Sequence, residues 1–202
     1  MQYAVKEIAD KIFAFLLILI FLPLFIVIAI SIKLDSKGPV IFKQQRLGRY
    51  GKPFTIYKFR TMVDNAENIG SGIYTSQNDF RITKVGKVLR KTSMDELPQL
   101  FNILKGDMSF IGPRPPLVDH PYEYNAYNEK QKQRFKILPG ITGYAQAFGR
   151  NSIRWPERIE MDIYYYKNFS LLFDVKIFIK TISTVITSKG TYSNRRNIDK
   201  AQ

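Results

Sequence analysis

An uncharged apolar run from Ile12 to Ile32 constrains this chain more than any other feature. It reads IFAFLLILIFLPLFIVIAISI and is bounded by Lys11 and Lys33. About 20 such residues suffice for a helix to cross the hydrocarbon core of a bilayer. The sequence therefore predicts a membrane-embedded helix, with the basic chain after Lys33 on the cytoplasmic side. A cleaved signal peptide is disfavoured, because the run is longer than a signal core and lacks a small-residue cleavage site.

Pro23 lies in the middle of this run and leaves two geometries open. A proline inside a helix removes one backbone hydrogen bond and crowds the preceding turn, and in lipid the freed carbonyl needs another partner. The helix can span the membrane with a kink, or it can turn at Leu22-Pro23 and return to the same face. The apolar run by itself favours spanning.

Length and composition limit the possible domain organisation, partners and kinds of site. The 202 residues suffice for one domain with a sizeable core plus an appendage. A net charge of +14 indicates an acidic partner, which leaves nucleic acid, anionic lipid and small anionic substrates open. The absence of cysteine excludes disulfides, thiolate catalysis and cysteine-ligated zinc. His120 is the single histidine, and we interpret it as structural or exposed.

The stretch TSMDELPQLFN, residues 92–102, places the adjacent carboxylates Asp95 and Glu96 at the start of a predicted short helix. With Asp95 as the N-cap, Pro98 falls within the first turn, where its missing N–H costs nothing. The spacing of Ser93 and Glu96 also matches a capping box. We prefer Asp95 as the cap.

Fixed cations flank this carboxylate pair. Arg90 comes just before it, and Arg114 follows it between prolines in the loop GDMSFIGPRPP. Flanking prolines present an arginine at low entropic cost, and a guanidinium group binds phosphate through two parallel hydrogen bonds. Lys58 and Arg60 share one face of a predicted strand, residues 53–62, where a solvated pair is the alternative interpretation. The pattern predicts a site for phosphate, or for a metal that carries phosphate.

Hydrophobic periodicity predicts the remaining elements. Arg150 follows Gly149 in a permissive loop, and Asp162 either pairs with Arg158 four residues earlier or turns toward the site. The predicted elements are a strand at 40–48, a short basic helix at 81–91, an exposed charged helix at 125–135, a helix at 156–167 and an amphipathic helix at 171–186.

Several motifs together resemble the bacterial sugar transferases, and more narrowly the small monotopic phosphoglycosyl transferases. The resemblance covers nearly the whole chain to about residue 188, and the two longest motifs are specific. The motifs are the apolar hairpin with its Leu-Pro pair, IYKFRTM, SMDELPQLFNILKGDMSFIGPRP, LPGITG and GRN.

This resemblance implies an α/β fold, mainly helical with a small sheet. It implies a re-entrant helix-break-helix in the membrane over residues 1–34, a compact cytosolic catalytic domain with interfacial amphipathic helices over 35–188, and a polar tail over 189–202. The break would fall at Leu22-Pro23, although the family has serine where this chain has Leu22. The expected location is the cytoplasmic face of the bacterial inner membrane, without a spanning helix.

The implied reaction moves a sugar-1-phosphate from a UDP-sugar to polyprenol phosphate, usually undecaprenyl phosphate, with release of UMP. Asp95 would be the nucleophile of a ping-pong cycle and would form an aspartyl phosphosugar, with Glu96 as its partner. Both carboxylates would hold Mg²⁺. The implied partners are the two substrates, membrane lipids and downstream glycosyltransferases, and not nucleic acid. The other implied site charges are Lys58, Arg90, Arg114, Arg150 and Asp162.

Two other functions fit parts of the sequence. A membrane-tethered basic module that binds nucleic acid or anionic lipid would explain the charge and the aromatic residues. A magnesium-dependent phosphatase would use the same aspartate but would need no lipid acceptor.

Overall fold

The computed structural model describes residues 2–70, 72, 79–149 and 153–186. This part of the chain is mainly helical with two small sheets, as the sequence predicts. The helices and strands are α1 (Gln2–Asp35), β1 (Ile41–Leu47), β2 (Pro53–Phe59), α2 (Lys84–Thr92), α3 (Gln99–Lys105), β3 (Ser109–Ile111), α4 (Glu129–Lys132), β4 (Gly140–Thr142), α5 (Trp155–Lys167) and α6 (Leu171–Ile186).

Helix α1 contains the apolar run and continues through Pro23 without a break. Among the described helices, it is the one that is long and apolar enough to cross a membrane. The bend at Leu22-Pro23 therefore stays a prediction.

Both ends of α1 contact the rest of the protein. Near its N-terminus, Lys6 Nζ lies 2.8 Å from Asp174 Oδ2 on α6, and both side chains are almost buried. At its C-terminus, Asp35 accepts a 2.8 Å hydrogen bond from the backbone N–H of Val85 on α2. Between these ends, Ala14 is fully buried in a cluster with residues of β2 and α3. One stripe of α1 thus packs on the domain along its length.

The opposite side of α1 is apolar and exposed. Helices α3 and α6 expose apolar side chains as well, so three helices present apolar surface. The exposed residues on α3 and α6 are Phe101, Leu104, Leu171, Leu172, Val175, Phe178, Ile179 and Ile182.

Strands β1 and β2 form an antiparallel hairpin that carries one wall of the site. Arg46 pairs with Phe54 and Phe42 pairs with Lys58. Directly opposed residues point to the same side of a sheet, and side chains alternate along each strand. Arg46 and Lys58 therefore lie on the same face, near opposite ends of the hairpin.

Asn102 joins α3 to this hairpin. Its fully buried side-chain amide donates to the Thr55 carbonyl over 2.7 Å and accepts from the Tyr57 N–H over 3.0 Å. These two hydrogen bonds satisfy strand groups on the edge of β2, next to Lys58. The segment that carries the carboxylate pair is thus fixed against the strand that carries Lys58.

The strands predicted at 40–48 and 53–62 and the helices predicted at 156–167 and 171–186 are confirmed within a few residues. The predicted basic helix begins later than expected, at Lys84, because the Thr83 side chain caps its N-terminus. Arg81 instead forms a buried ion pair with Asp79. The predicted exposed helix at 125–135 is wrong: it is two single 3₁₀ turns around the four-residue α4, and Arg134 within it is buried.

Candidate active site

The carboxylate pair lies in a tight connection between α2 and α3. Ser93 ends α2 in the left-handed region, with φ of 57°, and Met94–Glu96 form one 3₁₀ turn after it. Helix α3 begins only at Gln99, with Pro98 in the N-cap position. Asp95 as the helix N-cap is therefore wrong, and the Ser93 side chain makes no capping hydrogen bond either. The turn leaves both carboxylates at the junction of two helices.

Lys58 holds the second carboxylate of the pair. Its Nζ donates to Glu96 Oε1 over 2.6 Å, and both side chains are mostly buried. Burial alone would raise the pKa of Glu96, but the Lys58 ammonium, the Arg114 guanidinium and the Lys58 hydrogen bond hold that pKa below its usual value. Glu96 is therefore an ionised, fixed group at neutral pH.

Asp95 has different surroundings. Among the described residues, no lysine or arginine lies within ion-pair distance of its carboxylate. Burial raises the pKa of Asp95 to about 6, with Lys58 and Arg90 opposing this shift and Glu96 adding to it. An aspartate with a raised pKa and no paired cation keeps its oxygen atoms available for a ligand or for bond formation.

Arg90 reaches this region from α2. Its Nε donates to Thr61 Oγ1 over 2.8 Å, just beyond the end of β2. Its charge lowers the pKa of Asp95, which places the two groups within electrostatic range. The predicted set of Asp95, Glu96, Lys58 and Arg90 is thus brought together.

Arg114 lies in the proline-rich loop after β3, which is tightly anchored. Gly112 N–H donates to the Thr142 carbonyl over 2.9 Å, and a Cβ at Gly112 would overlap the Leu138 carbonyl. Glycine is thus required where the loop crosses β4. The loop brings Arg114 close enough to lower the pKa of Glu96, so Arg114 joins the same site.

Asp162 contacts the site indirectly, through Arg134. It is buried on α5 and accepts hydrogen bonds from Arg134 Nε and Nη2 at 3.1 and 2.7 Å. The same Nη2 donates to the backbone carbonyl of Arg114 over 3.0 Å. Asp162 therefore orients Arg134, which in turn holds the Arg114 loop. The predicted pairing of Asp162 with Arg158 is secondary: burial raises the pKa of Asp162, and Arg134 ahead of Arg158 opposes that shift.

Sequence reasoning missed three arginines at this site. Arg46 Nη1 donates to the Pro115 carbonyl over 3.1 Å, Arg134 supports the loop from the other side, and Arg158 lies close to Arg114 electrostatically. Alternation along β1 places Arg46 on the face of Lys58 only when the pairing of β1 with β2 is known, and polar residues on both faces of β1 hide that signal in the sequence. Arg150, which the sequence also predicts at the site, lies outside the described residues.

The geometry suits an anionic phosphate substrate better than a metal cluster. Within the described residues, no group of three or more metal-ligating side chains converges. Two adjacent carboxylates nevertheless fit Mg²⁺, which usually binds one or two protein carboxylates and fills its remaining positions with phosphate oxygens and water. The availability of the Asp95 oxygens agrees with such a role.

Comparison with known proteins gives one consistent family. The model of the family described as "Bacterial sugar transferase" matches residues 1–188. The uncharacterized sugar transferase EpsL of Bacillus subtilis (strain 168) is 47% identical over 167 residues, which cover 83% of this chain and 79% of EpsL.

Two further relatives have names that state an activity. The UDP-glucose:undecaprenyl-phosphate glucose-1-phosphate transferase of Klebsiella pneumoniae is 42% identical over 192 residues, 93% of this chain and 41% of the relative. The UDP-N-acetylgalactosamine-undecaprenyl-phosphate N-acetylgalactosaminephosphotransferase of Aeromonas hydrophila is 43% identical over 189 residues, 92% of this chain and 44% of the relative. The chain thus spans less than half the length of these two.

Proposed function

The chain belongs to the bacterial sugar transferase family, and we propose that it transfers a sugar-1-phosphate from a UDP-sugar to undecaprenyl phosphate with release of UMP. One observation carries the proposal. Asp95, which has no paired cation among the described residues, lies beside the fixed carboxylate of Glu96. Lys58 and Arg90 are within electrostatic range of Asp95, and Lys58 and Arg114 are within range of Glu96. A carboxylate nucleophile facing a diphosphate requires this arrangement.

The first half-reaction that these residues support is attack by a carboxylate oxygen of Asp95 on the sugar-bearing phosphorus. A new bond forms between that oxygen and phosphorus, the bond from phosphorus to the bridging oxygen breaks, and UMP leaves with the electron pair. The attacking and attacked groups are both anions and repel each other. Lys58, Arg90 and Arg114 supply the positive charge that offsets this repulsion.

In the second half-reaction, a phosphate oxygen of the lipid acceptor attacks the same phosphorus. The bond to Asp95 breaks, so the carboxylate is regenerated and the sugar-1-phosphate is joined to the lipid. Because UMP leaves before the acceptor attacks, the kinetics are ping-pong. The same cations serve both steps, since each transfers the same phosphoryl centre.

Asp95 and Glu96 would hold the Mg²⁺ ion, together with phosphate oxygens and water. When bound, the ion would neutralise negative charge on the transferring phosphate. The Lys58 hydrogen bond is made to one oxygen of Glu96, and the second oxygen would bind the ion. Glu96 would thus orient the site without competing with Asp95 as nucleophile.

The membrane arrangement is part of the proposal. One substrate is a lipid and the other is soluble in water, so the site must lie at headgroup depth. Exposed apolar residues on α1, α3 and α6 supply a surface that can enter the interface, and both ends of α1 are bound to the catalytic domain. We propose that the chain lies on the cytoplasmic face without spanning the membrane, and the turn of α1 at Leu22-Pro23 stays a prediction.

UMP release by the purified full chain tests the function. The donor panel includes UDP-glucose and UDP-N-acetylgalactosamine, each with and without undecaprenyl phosphate, with magnesium or with EDTA. We expect lipid-dependent UMP release with at least one donor. EDTA should abolish it, and Asp95→Asn should reduce it by about a thousandfold or more. Asp119→Asn, which changes an exposed aspartate, is the matched control.

Two outcomes would contradict the proposal. Release of free sugar or inorganic phosphate without lipid would indicate the phosphatase. No turnover with any donor, or turnover that Asp95→Asn leaves unchanged, would favour the basic binding module, whose affinity should fall steeply with salt.

A further inference from the structure

Arg46 occupies the place where β1 meets the Arg114 loop. The Leu47 N–H donates to the Pro116 carbonyl over 3.0 Å, so the end of the strand is joined to the loop. Arg46 itself donates through Nη1 to the Pro115 carbonyl over 3.1 Å and through Nη2 to Gln44 Oε1 over 2.6 Å. These bonds fix the guanidinium group beside Arg114.

The two arginines that meet here, Arg46 and Arg114, form no direct ion pair with a carboxylate of the described residues. The Nε atom of Arg46 is buried and has no hydrogen-bond partner among these residues. A buried guanidinium N–H without a partner loses a hydrogen bond to water, so holding this charge is costly unless an anion lies nearby.

The pKa shifts of Arg46 and Arg158 agree with a position close to Arg114. Burial lowers the pKa of Arg46 to about 10, with Arg114 lowering it further and Glu96 opposing. Burial also lowers the pKa of Arg158, again with Arg114 adding to the shift and Asp162 opposing it. Arg46 and Arg158 thus both lie close to Arg114, and the fold keeps three like charges together.

We propose that Arg46, Arg114 and Arg158 form a second phosphate-binding subsite, for the phosphate group that Asp95 does not attack. The inference rests on the proposed function and deepens it. Its ligand is a phosphate monoester, which is either the departing nucleotide phosphate of the donor or the phosphate of the lipid acceptor. Both present pairs of phosphate oxygens, which a guanidinium group binds through two parallel N–H groups.

The hairpin gives the two subsites separate places. Lys58 and Arg46 share one face but lie four residue pairs apart along the strand register. Lys58 serves the end of this face at Asp95 and Glu96, where phosphoryl transfer takes place. Arg46 serves the other end at the Arg114 loop, where a second phosphate would lie. Arg114 acts on both Glu96 and Arg46 and therefore lies between the two subsites.

Steady-state kinetics of Arg46→Gln, Arg46→Lys and Arg158→Gln test the subsite. Lys43→Gln is the matched control, because it removes one positive charge from an exposed position on the other face of β1. If the subsite binds the donor's nucleotide phosphate, Arg46→Gln raises the KM for the UDP-sugar and the inhibition constant of UMP about tenfold, and the KM for the lipid stays unchanged. If it binds the lipid phosphate, the KM for undecaprenyl phosphate rises instead.

Arg46→Lys separates binding from a structural role, since lysine keeps the charge and loses the two-pronged geometry. Binding predicts an intermediate KM at an unchanged kcat. A role limited to holding the Pro115 carbonyl predicts a lower kcat with both KM values unchanged, and that result would overturn the proposal. So would KM values in the Arg46 and Arg158 variants that match those of Lys43→Gln.

A binding measurement keeps this inference distinct from the proposed reaction. UMP and pyrophosphate should each raise the Tm of the detergent-solubilised wild type and of Lys43→Gln. Their effect on Arg46→Gln and Arg158→Gln should be much smaller. If the wild type releases no UMP yet shows this Arg46-dependent stabilisation, the proposed reaction fails and the subsite stands. Equal stabilisation of all variants, together with unchanged KM values for both substrates, refutes the subsite.

Discussion

Two neighbouring carboxylates in this site have opposite electrostatic environments. The pKa of Asp95 is raised to about 6, chiefly by burial, and that of Glu96 is lowered because Lys58 and Arg114 outweigh burial. Carboxyl groups whose environments move their pKa values apart commonly have different chemical roles. Glu96, which pairs with Lys58, suits an orienting role. Asp95, which has no ion-pair partner among the described residues, suits bond formation.

The raised pKa of Asp95 predicts an acid limit to activity. As the proposed nucleophile, Asp95 would attack only as the anion, so at low magnesium the kcat/KM for the UDP-sugar should fall about tenfold per pH unit below about pH 6. A bound cation favours the ionised carboxylate, so added magnesium should move this limit to lower pH. Profiles at two magnesium concentrations check both statements. If the pH of this acid limit does not change with magnesium concentration, the metal does not bind Asp95.

Lys58 should influence both rate and pH dependence. Its ammonium group favours the charged form of Asp95 and pairs with Glu96, so Lys58→Gln should raise both pKa values. We expect UMP release to fall about a hundredfold and the acid limit to move to higher pH. Lys58→Arg should retain part of the activity, and Lys43→Gln on the opposite face should behave as wild type. An unshifted acid limit in Lys58→Gln would be inconsistent with this coupling.

At the scale of elements, the site depends on how closely α2 approaches the end of β2. A Cβ at Gly86 would overlap the backbone carbonyl of Thr61, and Thr61 also accepts the Arg90 hydrogen bond. Thr83 N–H donates to the same Thr61 carbonyl over 3.1 Å. Glycine within a helix normally lowers its stability relative to alanine, so this glycine serves packing.

Gly86→Ala should therefore lower the stability of the protein, although alanine has a higher helix propensity than glycine. Alanine would raise the stability of an isolated helix, but here it must displace α2 and with it Arg90. We expect a loss of about 1–3 kcal/mol in the free energy of unfolding and a lower rate of UMP release. Denaturant unfolding and activity measurements check this. Lys87→Ala, at the exposed neighbouring position, should leave both unchanged or slightly raise stability, and a stabilised Gly86→Ala would contradict the packing argument.

Elements with strong local signals could be predicted from the sequence, and contacts across the chain could not. Alternation identified the strand of Lys58, and periodicity identified α5 and α6. The Lys58–Glu96 pair joins residues 38 positions apart, which no local pattern reveals. Arg134 was misassigned because charged neighbours are typical of an exposed helix, whereas its partner Asp162 lies 28 residues away. Polar residues on both faces of β1 likewise concealed Arg46.

For the whole molecule, the question is how a 34-residue apolar helix and a basic catalytic domain share one membrane. A straight helix of this length is about 50 Å long, more than the hydrocarbon core requires. Its N-terminal end is joined to α6 through the largely buried Lys6–Asp174 ion pair, and Tyr3 stacks on Phe169 at 4.0 Å. Its C-terminal end is joined to α2. A domain on one side of a bilayer cannot hold both ends of a spanning helix.

Both ends of α1 should therefore be accessible from the same side of the membrane. The chain has no cysteine, so single cysteines at Gln2, Lys37 and Lys43 can be labelled without background by a reagent that does not cross membranes. The cysteine at Lys43 reports the side that holds the catalytic domain. We expect all three to react in inverted vesicles and none in intact cells after removal of the outer barrier. Opposite labelling of the Gln2 and Lys37 positions would establish a spanning helix, and the Lys6–Asp174 pair could not then exist in the membrane-bound protein.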